Sequence, residues 1–155
     1  MFKINKFLIP LVLILLFLSA CGYTPIFSQK DITFNVKNIK LTGNKIVKQT
    51  INGKLSNYKN NFDVKNQIDL ILDGTQNVVI ITKNVKGEAT SYKVTVDVKI
   101  KVIFENNNSF EKTFIKSTTY NAVERASELK TTENKLTSDL SIQIANEIIL
   151  ILLEK

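Results

Sequence analysis

YKVTVDVKIKVIF, residues 92 to 104, has an apolar side chain at every even position: Tyr92, Val94, Val96, Val98, Ile100, Val102 and Phe104. The odd positions hold Lys93, Thr95, Asp97, Lys99, Lys101 and Ile103. Successive side chains of a strand point to opposite faces, so this stretch is a strand with one dry face and one wet face. A sheet built around it needs cover on one side only.

The neighbouring stretches supply the rest of that sheet. Asn106-Asn107-Asn108-Ser109 is a hairpin turn into a strand from Phe110 to about Thr119. On the other side, a turn around Asn84 to Gly87 leads back to Ile68, Leu70, Leu72, Val78 and Ile80, which share one parity. Gly74 is expected to kink this segment between its halves. Still earlier, Ile32, Phe34 and Val36 alternate with polar residues, and then the phase slips by one to Ile39 and Leu41. A bulge near Lys37-Asn38 would put both sets on one face.

Two segments change period. Between Thr42 and Lys59, Val47, Ile51, Leu55 and Tyr58 form one helical stripe, with Thr42, Gly43 or Asn44 as the N-cap. Gly53 inside it weakens the helix by ~1 kcal/mol relative to Ala, so this helix depends on packing. At the end of the chain, Asn121 and Glu124 have the spacing of a capping box. Leu129, Leu136, Leu140, Ile144, Ile148 and Ile151 then recur at multiples of three and four. From Ile148 to Leu153 the helix is apolar all round, read as an end enclosed by the core in preference to a membrane or partner contact. The expected fold is α+β, in the order β-α-β-β-β-α: a four-stranded, mostly antiparallel sheet covered on one face by two helices. Its open face carries Lys93, Asp97, Lys99 and Lys101.

The first residues have a different purpose. Lys3 and Lys6 precede an apolar run from Phe7 to Leu18, which is followed by Ser19, Ala20 and Cys21. A basic start, an apolar stretch and small residues before a cut site make a secretory signal peptide. At ~1.5 Å per residue the run reaches only ~18 Å, short of the ~30 Å of a bilayer's hydrocarbon. Leu18-Ser19-Ala20-Cys21 resembles the bacterial lipobox, where cleavage leaves a lipid-modified cysteine as the first residue. Several acyl chains, at about 0.8 kcal/mol per buried methylene, anchor a protein permanently. Cys21 is the only cysteine and the chain has no His, so no base is present to make that thiol a catalytic nucleophile. Gly22, where Asp often marks retention in the inner membrane, resembles the outer-membrane default and implies the periplasmic face of that membrane. The organisation is thus a signal peptide at 1–20, a lipidated tether at 21–30 and a single α+β domain at 31–155.

Composition excludes more than it proposes. The chain has 21 Lys+Arg against 14 Asp+Glu, a formal net charge of +7, and two of those lysines lie in the leader. This balance suits an anionic partner such as lipid phosphate. Nucleic acid is not expected, because the chain is exported and carries no recognition motif. The absence of His and of a second Cys removes the usual zinc sets and the Ser-His and Cys-His nucleophile systems. Gly22, Gly43, Gly53, Gly74 and Gly87 lie too far apart to form a phosphate loop. Asp69 and Asp73 share one strand face and read as solvated residues, not as an acid–base pair. No enzyme is expected.

CGYTPIF directly after the lipobox, GEATSYKVTVDVKIKV at 87–102 and TTYNAVERASELKTTENKLTSDL at 118–140 together resemble the LptE family, formerly called RlpB. Its mature chains commonly begin with Cys-Gly, an aromatic residue, Pro and an apolar pair, which Cys21, Gly22, Tyr23, Pro25, Ile26 and Phe27 match. The other two segments look like the family's middle strand and its last strand running into the final helix. Where the family often has Arg, this chain has Thr90, Ser91, Tyr92 and Lys93. The resemblance implies a non-enzymatic lipoprotein that partners the LptD β-barrel as a plug and assembly factor in export of lipopolysaccharide. It implies no cofactor beyond the acyl lipid on Cys21. Lys83, Lys86, Lys93, Lys99 and Lys101 are the candidate lipopolysaccharide contacts. The alternative is a structural lipoprotein scaffolding another envelope machine, such as a secretion or barrel-assembly complex.

Overall fold

A computed structural model describes residues 33–59, 64 and 66–154. The signal peptide, the tether and Cys21 lie outside the described residues. The elements are β1 (Phe34–Gly43), α1 (Lys45–Leu55) with a 3-10 turn at Ser56–Tyr58, β2 (Asn66–Lys83), β3 (Ala89–Phe104), β4 (Ser109–Asn121) and α2 (Ala126–Leu153). The strands form one sheet in the order β1-β2-β3-β4. β1 and β2 are parallel, joined through α1, because a parallel pair needs a crossover and a hairpin cannot supply one. The other two pairings are antiparallel hairpins. This is the expected α+β architecture.

The alternation in β3 is borne out residue by residue: Val94, Val96, Val98, Ile100 and Val102 are all buried. Ile68, Leu70 and Leu72 of β2 and Phe34 and Val36 of β1 join them on the same face. The register of β1 against β2 shifts between Val36 and Asn38, so the phase slip is a bulge that returns Ile39 and Leu41 to the core side. Val47, Ile51 and Leu55 of α1 and Leu140, Ile144, Ile148 and Leu152 of α2 close the core from above. Tyr58 stacks on Phe34 with ring centroids 5.1 Å apart. Along α2 the buried hydroxyls bond within their own helix: Thr137 donates to the Glu133 carbonyl and Ser141 to that of Thr137, each at 2.7 Å.

Asn44 is the N-cap of α1, its side-chain oxygen accepting from the Ile46 and Val47 amides at 2.9 and 3.3 Å. Gly53 lies on the exposed side of α1, and a Cβ built there meets nothing within 4 Å. Gly53→Ala is therefore expected to stabilise the protein by about 1 kcal/mol. The urea midpoint should rise, and an unchanged or lower midpoint would contradict a helical interior at this position.

Two expectations are corrected. Asn121 does not cap the final helix. It stays on β4 opposite Ser91, and the next amide, Ala122, donates to the Thr90 carbonyl at 2.9 Å. The ladder satisfies these backbone groups first, so α2 starts later, with Arg125 at its N-cap bonded to Glu128 at 3.3 Å. Gly74 does not kink β2 either. Pairing with β3 runs through it without a shift, and the residue is buried. Its Cβ would lie 2.6 Å from Val47 Cγ1, so a bare backbone is what lets α1 pack this closely on the sheet.

The apolar end of α2 belongs to the core. Ile148 and Leu152 are buried, Ile149, Ile151 and Leu153 are half-buried against them, and none of residues 148–153 is exposed. By length and composition α2 could cross a membrane, but its apolar stripe is taken up by the sheet.

Candidate functional site

The open face of the sheet presents its side chains in rows across β2, β3 and β4. Lys99 stands between Asp73 and Thr113, Lys101 between Ile71 and Glu111, and Lys93 between Val79 and Thr119. Lys101 Nζ pairs with Glu111 Oε1 at 3.0 Å. Asp73 accepts from the Thr42 hydroxyl and Asp69 from the Asn38 amide, both at 2.8 Å. The expected Lys-rich face is thus partly charge-balanced: Lys101 pairs with Glu111 across β3 and β4, and Lys99 stands opposite Asp73 in the register of β2 and β3. Such exposed pairs contribute about 0–1 kcal/mol each, so they organise the face more than they stabilise it.

Lys83 closes β2 opposite Ala89, and Lys86 lies in the turn that follows. Asn84 shapes that turn, its side-chain oxygen accepting from the Lys86 and Glu88 amides at 2.9 and 3.0 Å. Val85 at the tip is fully exposed. Lys93 and Lys101 are eight residues apart on one strand, ~26 Å at ~3.3 Å per residue. The five lysines therefore do not converge on one ligand-sized pocket. Lys83 and Lys86 share the hairpin tip, Lys93 is alone, and Lys99 and Lys101 are neighbours of carboxylates.

The sequence reading passed over Glu111 and took Asp73 only as a solvated residue, not as the neighbour of Lys99. Counting outward from the two hairpin turns would have found them, since the turns fix which residues face each other. A shallow cavity of about 400 Å³ lies at the bulged end of β1, lined by Lys37, Asp69, Phe104, Glu105 and Asn107 among others. Its charges are mixed, and among the described residues no group of three His, Cys, Asp or Glu could hold a metal. On the covered side, Tyr92 and Tyr120 stack with centroids 5.5 Å apart. Burial, then the Glu133 carboxylate and Tyr92, raise the Tyr120 phenol above its ordinary value.

Solved structures share this arrangement. Rare lipoprotein B from Shewanella oneidensis superposes with a TM-score of 0.54 at 16% identity, covering 74% of this chain and 92% of that one. A minor lipoprotein from Acinetobacter baumannii gives 0.54 at 12% identity, covering 76% and 91%. Uncharacterized lipoprotein B from Nitrosomonas europaea gives 0.52 at 8% identity, covering 78% and 85%. The sequence matches no family model, and no curated protein matches it at a significant level. The fold is that of a group of bacterial lipoproteins. Within that group it is the LptE-like fold, two helices on one face of a sheet whose other face stays open.

Proposed function

We propose that this chain is a lipid-anchored protein on the periplasmic face of the outer membrane. There it partners an LptD-type β-barrel as a non-enzymatic plug and assembly factor in export of lipopolysaccharide. The observation that carries the reading is a coincidence of two independent features: Leu18-Ser19-Ala20-Cys21-Gly22-Tyr23 at the start and the LptE-like fold in the domain. Cys21 is the lipid attachment site, and no other cofactor is required. The interior of a large barrel is polar, and the partly charge-balanced open face suits that lumen better than a lipid surface. Lys83 and Lys93 have no acid opposite them in the register, and with Lys86 they are the lysines assigned to lipid phosphate. Lys101 is already paired with Glu111, and Lys99 stands opposite Asp73 in the register.

The test is photo-crosslinking in cells from Lys93, Asp97 and Lys101, together with depletion of the protein. The expected result is capture of a barrel of the LptD type and a fall in surface lipopolysaccharide. The captured protein, weighed intact, should begin at Cys21 and carry added acyl mass. Capture of a secretion or assembly barrel instead would transfer the protein to the scaffold reading. A chain that purifies alone, with surface lipopolysaccharide unchanged on depletion, overturns the proposal.

A further inference from the structure

The cover over the sheet thins toward the turn between β2 and β3. β1 ends at Gly43 and α1 follows it, whereas β2 runs on to Lys83 beside β3. Among the described residues nothing pairs with β2 beyond Gly74 on the β1 side, so the strand overhangs with a free edge. On its covered face the side chains pass from buried at Leu72 to half-buried at Gln76 and Val78 and exposed at Ile80. The stacked pair Tyr92 and Tyr120, at the same end of β3 and β4, is half-buried as well. α2 starts at this end, because it follows Asn121, the rung opposite Ser91. Its first turns are therefore the cover that this end receives.

Those turns are weakly held. None of residues 126–136 is buried, whereas full burial begins at Thr137 and recurs as far as Leu152. Arg125 makes no side-chain capping bond to the first amides. Among the described residues, 126–136 has one side-chain hydrogen bond to another element, from Gln76 Nε2 to Glu133 Oε1 at 2.7 Å. Asn134 Oδ1 is buried without a partner, so the closed position leaves an acceptor unmet. At the step in burial, the Thr137 and Ser141 hydroxyls donate to the Glu133 and Thr137 carbonyls at 2.7 Å each. Such back-bonds compete with the helix's own amides and loosen the helix where they fall.

We propose that residues 126–136 are a strap that opens as one cooperative unit, separately from the rest of α2, and uncovers Val78, Tyr92 and Tyr120. Segments that move are drawn from the part of a fold with the fewest buried apolar groups, and in α2 that part ends sharply at Leu136. The remainder of the helix stays in place. Ile144 and Ile148 are fully enclosed, and Ser138 meets Thr50 of α1 at 3.2 Å. In the open state water reaches Asn134 Oδ1, and the bond from Gln76 is the one that must be given up. A partner that touches the uncovered rings selects the open state, so the strap gives this domain two states that binding can tell apart.

The test is amide hydrogen exchange on the full chain, purified from membranes in detergent and read residue by residue. The amides of 130–136 should share one degree of protection, about 100-fold or more below that of 140–152, with a step at Thr137. Gln76→Ala should speed exchange in 130–136 about fivefold and leave 140–152 unchanged. Asn134→Leu, which removes the unmet acceptor, should slow exchange in 130–136 about tenfold. Thiol labelling supplies a second reading. Val78→Cys should be labelled faster with Gln76→Ala added and slower with Asn134→Leu added, above the background of the wild-type chain, which retains Cys21. A smooth gradient of protection from Ala126 inward is ordinary fraying and overturns the proposal. Equal protection in the two halves of α2, or an equal effect of Gln76→Ala on both, does the same, as does an Asn134→Leu strap that exchanges no more slowly. None of these readouts depends on whether a barrel is captured from the open face.

Discussion

Val98→Asp is expected to remove most or all of the stability of the fold. Val98 is fully buried at the centre of β3, between Gly74 on β2 and Phe114 on β4. Losing the buried valine costs about 1.5–3 kcal/mol. A carboxyl left there without a partner adds several kcal/mol more. Together they approach the ~5–15 kcal/mol that holds a typical domain folded. Val96 is just as buried but makes a softer probe, because Lys116, which pairs with Glu147, stands opposite it and could turn to a new carboxylate. In Val98→Asp the folded state would keep the acid protonated while the unfolded chain ionises near pH ~3.9. The folded value is raised, so the deficit is smallest below that pH and grows as pH rises through it. Thr95→Asp, on the open face between Asn77 and Ser117, is the control and should stay within about 0.5 kcal/mol. Equal losses of urea midpoint in the two variants would mean that the facing of the sheet is wrong.

The facing was legible because β3 obeys one rule over its whole length: period two, one face dry. The bulge at Lys37 was legible for the same reason, as a break in that period that burial had to repair. What could not be read was competition between local signals. Asn121 and Glu124 have the spacing of a helix cap, but Asn121 is also the last rung of a long ladder, and the ladder takes it. Gly74 resembles a strand break in sequence, yet it is small because α1 presses on it, a contact made only in three dimensions. The candidate site divides in the same way. Each lysine was identifiable as a cation, whereas its neighbours depend on register: Glu111 for Lys101, Asp73 for Lys99, nothing acidic opposite Lys93. The free edge of β2 follows from a mismatch in length, with β1 ending at Gly43 and β2 continuing to Lys83. An expected kink at Gly74 hid that continuous overhang from a sequence reading.

Gly43→Ala is expected to be nearly as damaging as a charge in the core, although Gly43 is exposed. Gly43 is the last residue of β1, at φ +93, where the chain leaves the sheet to enter α1. A side chain is disfavoured in that conformation, at a cost of about 1–3 kcal/mol. Its Cβ would in addition fall on the carbonyl oxygen of Gly74 across the strand pair. That oxygen cannot swing aside as a side chain would, and it is the acceptor for the Asn44 amide at 2.7 Å. Moving it removes a hydrogen bond of about 1 kcal/mol and displaces Asn44, which caps α1 and donates to Gln76 at 2.9 Å. The total expected loss is about 3–5 kcal/mol, from the sum of backbone strain and broken contacts. Gly87→Ala isolates the two causes, because Gly87 has φ +84 but open space around its Cβ position. It should lose only about 1–2 kcal/mol, the cost of a side chain in a left-handed conformation. The difference between the two urea midpoints then measures the close approach of β1 and β2. If Gly43→Ala loses no more than Gly87→Ala, that approach is not what fixes the junction between the sheet and α1.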